Sequence, residues 1–236
     1  MSSELVKKSI AYATTGAVGT HGSHAVAELT GSLRGHVYNM IGKAATAVLP
    51  TSVINGVSTV AESFFSGLGY ITDVMQAPIN KISNMKTEHT LNLPTMEAQQ
   101  SFGAKANLIS RTVLAPIIEE FLYRGPQIIG GKLLEKATGL DPVASQLLVG
   151  AITNTLFGLA HTVGRTGMER LNSREFVASF SKGIALAVSS AMVSSSGGKE
   201  DSAVTKGIAA FVTTVTAHAL SNLPDAIKFY NREMNA

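Results

Sequence analysis

Residues 142–164 read PVASQLLVGAITNTLFGLAHTVG, a run without Asp, Glu, Lys or Arg. Its apolar centre is Leu147, Leu148, Val149 and Ile152. A bilayer-spanning helix needs about 20 mostly apolar residues, and this run is long enough. Outward from it, charged residues divide the chain into further uncharged windows: Ser9–Ala27, Ala44–Ala61, Gly183–Gly198 and Gly207–Pro224. Gly139-Leu-Asp-Pro breaks the chain before the central window, and SSSGGKED at 194–201 has the composition of an exposed turn. Strand signals are weak; the pair Asn55-Gly56 has only short apolar flanks. The fold class expected is all-α: a polytopic, membrane-embedded bundle of about seven or eight helices. Asp73–Gln100, polar and carrying Pro78 and Pro94, reads as a loop or surface helix. It closes an N-terminal helical region, 1–100, and a second region, 101–236, follows.

Composition sets the limits. The 236 residues contain 45% hydrophobic and only 15% charged side chains, with a mean hydropathy of +0.21. Soluble domains carry about 25% charge, so this chain is charge-depleted. Its hydropathy is nonetheless low for membrane spans, because Ala, Gly, Ser and Thr supply much of the uncharged content. Small residues let helices approach closely in lipid, and they also fill soluble helical interiors. Thr153, Asn154, Thr155, Ser189 and Ser190 fall within the windows themselves. Three settings accommodate them: a bundle that buries them around a water-filled cavity, partial insertion, or a soluble form that enters a membrane later. The absence of cysteine excludes disulfides, thiolate metal sites and cysteine nucleophiles. The net charge of +3 is spread singly along the chain, and no basic block interleaved with aromatics supports a nucleic-acid partner.

Chemistry concentrates in three helical motifs. In Ala115-Pro-Ile-Ile-Glu119-Glu120-Phe-Leu-Tyr-Arg124-Gly two carboxylates sit inside an apolar segment. Glu120 and Arg124, four residues apart, share a helix face and can pair, while Glu119 is turned about 100° away. A solvent-facing Glu-Glu/Arg patch is the plain alternative; the apolar flanks Val113–Ile118 and Phe121–Tyr123 argue for a functional site instead. Phe157 and His161 form an i, i+4 pair at the end of the central window, and His218 and Asn222 form another late in an uncharged helix. Each pair alone reads as packing and hydrogen bonding rather than catalysis. His21, His24, His36 and His89 fall in no such pattern.

Taken together and in this order, Glu-Glu-x-x-x-Arg, Phe-x-x-x-His and His-x-x-x-Asn resemble the CAAX-protease and bacteriocin-processing family of glutamate intramembrane endopeptidases. The resemblance covers about residues 105–225 and extends to Tyr123-Arg124-Gly125. It implies that Glu119 and His161 activate a water, that His218 and Asn222 stabilise an oxyanion, and that Glu120 and Arg124 support the site. It also implies an integral membrane protein acting on a peptide or protein substrate, lipidated or not, among membrane lipids. No cofactor is expected. Zinc held by the two histidines and glutamates is the alternative, although His-Glu-x-x-His on one helix is missing. Against the endopeptidase stand two other possibilities: a non-proteolytic immunity or binding protein of the same fold, and a soluble helical protein whose motifs coincide by chance.

Overall fold

The computed structural model describes residues 1–83 and 96–235. Among the described residues all regular structure is helical, and there are no strands. The helices are α1 (Ser3–His21), α2 (Ser23–Val48), α3 (Thr51–Ser83), α4 (Met96–Ile109), α5 (Ala115–Thr138), α6 (Pro142–Ala160), α7 (Gly167–Leu171), α8 (Arg174–Ser194) and α9 (Ala203–Met234). A π-helical turn, Ser110–Leu114, joins α4 to α5 without a break, so these two make one long helix and the total among the described residues is eight. Asn55 and Gly56 lie within α3. Of the expected interruption at 73–100, residues 73–83 continue α3 and residues 96–100 open α4. Residues 84–95, with His89, lie outside the described residues, as do the side chains of His24 and His36.

Local chemistry explains the boundaries. Gly139 ends α5 in the left-handed conformation (φ 72°), which costs glycine no Cβ clash. Asp141 then caps α6 by accepting from the amides of Val143 and Ala144 at 2.9 and 3.0 Å, and Pro142 fills the first turn, where a missing N–H is harmless. Ser173 and Ser202 cap α8 and α9 in the same way. At the start of α1, the Ser2 amide and hydroxyl both donate to the Asp201 carboxylate, which pins the N-terminus to the α8–α9 connection. The two expected regions are thus interleaved: α1 packs on α8 and α9, and α2 packs on α8.

Small residues set the spacing of the bundle. A Cβ added at Gly131 of α5 would lie 2.8 Å from the Gln146 backbone of α6. One added at Gly16 of α1 would meet Ser189 of α8 at 2.7 Å and Ala217 of α9 at 3.1 Å. Any larger side chain at either position forces helices apart.

Beside an apolar core that includes Leu5, Phe157 and Leu186, the interior holds many polar side chains, and many large apolar ones lie on the surface. Glu120, Arg124, Gln127, Asn154 and His218 are almost wholly buried. Phe121, Ile129, Leu133, Leu148, Ile152, Ile208 and Val212 are exposed. Several hydroxyls inside the apolar windows are satisfied within the bundle: Thr153 donates to the Gly150 carbonyl, Ser189 to Ala185, Thr213 to Ala209, and Ser194 to the Gln146 side chain, whereas the buried Ser145 and Ser190 hydroxyls have no hydrogen-bond partner among the described residues. Among the described residues three helices, α6, α8 and α9, are long and apolar enough to cross a membrane.

Candidate functional site

The site begins with a defect in a helix. Pro116 has no N–H and its ring crowds the preceding turn. The chain responds with the π-helical turn at Ser110–Leu114, in which the Ala115 amide reaches back to the Ser110 carbonyl. In that register the next carbonyl, on Arg111, would need an N–H from Pro116. It receives one from Asn222 on α9 instead, Nδ2 donating at 3.0 Å. The proline of the Ala-Pro-Ile-Ile-Glu-Glu segment therefore ties α9 to the start of α5, beside the two carboxylates.

Those carboxylates have different surroundings. Glu120 is fully buried and bonded on both oxygens: Arg124 Nε donates to Oε2 at 3.1 Å, and His218 Nδ1 lies 2.8 Å from Oε1. The Arg124 guanidinium also donates to Gln127 Oε1 at 2.8 Å and to Asn154 Oδ1 at 2.6 Å, and Gln127 Nε2 donates to the Ala187 carbonyl. Every link joins charged or amide groups removed from water, where charge-assisted hydrogen bonds are strong. Gly183 on α8 gives Asn154 room, since a Cβ there would sit 2.7 Å from Oδ1.

Glu119 lies on the other side of the helix, at the wall of a cavity of about 230 Å³. With it line Ser23, His161, Ser179, Lys182, His218 and Asn222. Gln76 Nε2 of α3 donates to Glu119 Oε1 at 3.1 Å. His161 Nε2 lies 4.0 Å from the same oxygen, and His218 Nε2 lies 3.4 Å from Oε2. His161 closes α6, with Nδ1 at 2.8 Å from the Phe157 carbonyl. A carbonyl only accepts, so Nδ1 carries a proton and Nε2 is turned toward Glu119. Phe157 buttresses both histidines, its ring 4.5 Å from that of His161 and 6.1 Å from that of His218, and Tyr123 packs edge-on against it at 5.1 Å.

The six residues singled out in the sequence thus fall into two groups. Glu119, His161, His218 and Asn222 line one cavity; Glu120 and Arg124 stand behind it, linked to it through His218. Lys182, Gln76 and Asn154 join them unanticipated. Lys182 had marked only the edge of an uncharged window, yet a single Lys beside Phe180 and Gly183-Ile-Ala-Leu is a charge among apolar neighbours, the same signal that drew attention to Glu119. Gln76 belongs to the stretch read as a polar interruption, where nothing in the sequence distinguishes it.

No family model, curated protein or solved structure matches the chain. Among the described residues no group of three or more His, Asp or Glu side chains is arranged to hold a metal ion.

Proposed function

We propose that the chain is an intramembrane endopeptidase of the CAAX-protease type, in which Glu119 and His161 activate a water that attacks a peptide carbonyl. The observation that supports this most is the pairing of Glu119 Oε1 and His161 Nε2 at 4.0 Å on the wall of a cavity. A single water hydrogen-bonded to both atoms fits that separation, and a carboxylate and an imidazole are the side chains that most often take a proton from water. Gln76 fixes the carboxylate from the other side, so that the base is held still rather than sampling rotamers.

Membrane insertion is supported by the large apolar side chains exposed on the surface and by the level of the site. Asp141, Gly139, Lys132 and Ala203 gather at one end of the bundle. His161 follows the 19 residues of α6, and Glu119 lies a similar distance back along α5. At 1.5 Å per residue, each is roughly 30 Å from that end, about one hydrocarbon thickness. The reactive groups would then meet a substrate near one membrane surface.

A non-proteolytic binding protein of the same fold is the second possibility. In its favour, Glu120, Arg124, Gln127 and Asn154 are bonded to one another and could serve the fold alone. The deciding experiment places the purified protein in liposomes with a mixture of internally quenched peptides, half carrying a farnesylated cysteine. Cleavage by wild type and by an exposed control, Thr59→Ala, but not by Glu119→Gln, is the expected result. Equal signals from wild type and Glu119→Gln would reject the peptidase.

A further inference from the structure

We propose that Lys182 carries the oxyanion in this site and that Asn222 holds it in position; this rests on the hydrolytic function proposed above. The resemblance gives the oxyanion to His218 and Asn222, but both are otherwise engaged. His218 stands between two carboxylates, Nδ1 at 2.8 Å from Glu120 and Nε2 at 3.4 Å from Glu119, so each nitrogen faces a carboxylate oxygen. Asn222 donates to the Arg111 carbonyl that Pro116 leaves without a partner, and its Oδ1 accepts from Lys182 Nζ at 2.6 Å. These two bonds fix the amide orientation, with the oxygen toward the lysine and the nitrogen toward α5.

Lys182 is the cationic group on the cavity wall, and it has donors to spare. An ammonium has three N–H donors, and among the described residues one is used, on Asn222. Among the same residues no carboxylate comes within 4.0 Å of Nζ, and Glu119, Glu120 and Asp225 act on it only from further away. It projects from α8, while Glu119 and His161 project from α5 and the end of α6. A carbonyl entering between them would meet a base on one side and a cation on the other. A fixed charge in a site shielded from water stabilises a developing oxyanion far more than it would in water.

The step balances without a co-reactant. Water passes one proton to Glu119, and its oxygen bonds to the carbonyl carbon. The carbonyl π pair moves onto oxygen, and that anion receives N–H bonds from Lys182. When the pair returns, the C–N bond breaks and the leaving nitrogen takes the proton from Glu119. The products are a carboxylic acid and an amine.

The test uses a peptide that wild type cleaves and two isosteres of it: an anionic phosphinate and a neutral hydroxyethylene. For Lys182→Met, kcat is expected to fall about 10²- to 10³-fold with KM unchanged. Phosphinate binding should weaken in proportion, and hydroxyethylene binding should hold. Lys182→Arg, which restores a cation, should recover the preference for phosphinate, and Asn222→Ala should lose only part of it. If Lys182→Met weakens both isosteres alike, or neither, the lysine is structural and the proposal falls while the peptidase stands. If wild type cleaves no better than Glu119→Gln, the hydrolytic function fails and the oxyanion role fails with it.

Discussion

Glu119 and Glu120 are neighbours in sequence and opposites in circumstance. Glu120 is sealed behind the cavity, with both oxygens bonded, at the head of a network running through Arg124 to Gln127 and Asn154. Glu119 faces the cavity, steadied by one amide donor and looking across 4.0 Å at an imidazole. A rotation of about 100° between adjacent helical residues leaves one carboxylate locked within the bundle and the other on the cavity wall. His218 touches both and couples the two regions.

If the division is sound, damage on the sealed side should appear as lost stability. Arg124→Met leaves Glu120 as a buried charge without its main partner, a loss of about 3–5 kcal/mol. It should lower the thermal midpoint in detergent more than any change on the cavity side. A midpoint shift no larger than that of Thr59→Ala would show that the sealed network is not structural.

On the cavity side the signs should reverse. His161→Ala is expected to reduce kcat on a cleaved peptide about 100-fold or more, with little change in midpoint, since its side chain is partly exposed and holds no other element. Equal losses in activity and midpoint would place His161 in the structural region instead.

Much of this division was legible in the sequence, and the exceptions have physical causes. The breaks at Gly139-Leu-Asp-Pro and 194–201 are local, written in capping and turn residues, and they fall between α5 and α6 and between α8 and α9. The three motifs were legible because helical spacing puts i and i+4 on one face. Asn154 was not: inside an apolar window it looks like an incidental polar residue, and its role depends on Arg124 being opposite it on another helix. The same holds for Gln76 and Lys182, whose partners are 43 and 40 residues away in the chain. A tertiary contact between single polar residues leaves no periodic trace.

Asn154 provides the next test of the sealed side. Asn154→Ala leaves a buried guanidinium N–H without an acceptor, a cost of about 2 kcal/mol, smaller than that of Arg124→Met and again read as a midpoint shift. Asn154→Asp, which restores an acceptor, should recover part of it; failure to recover would argue against the Arg124–Asn154 bond.

The smallest effect lies far from both regions. The Ser2 hydroxyl bonded to Asp201 holds that carboxyl below its ordinary pKa, helped by the Ser2 and Gly198 amides. A depressed carboxylate contributes stability that is complete above its unfolded value, about 3.9, and disappears as the pH falls through the folded value. Ser2→Ala should therefore lower the midpoint at pH 7, by the lost carboxylate contact and by a lost helix cap worth about 1 kcal/mol. Below about pH 4 the gap from wild type should narrow toward the cap contribution alone. A gap that is flat across this range would show that Asp201 is not held by Ser2.

The most direct test of the contrast between the two glutamates is one paired measurement on Glu119→Gln and Glu120→Gln, recording peptide cleavage and thermal midpoint on the same liposome preparations. Glu119→Gln should abolish cleavage and keep the wild-type midpoint, while Glu120→Gln should lower the midpoint. Wild-type cleavage by Glu119→Gln, or a midpoint loss as large as that of Glu120→Gln, would contradict the account.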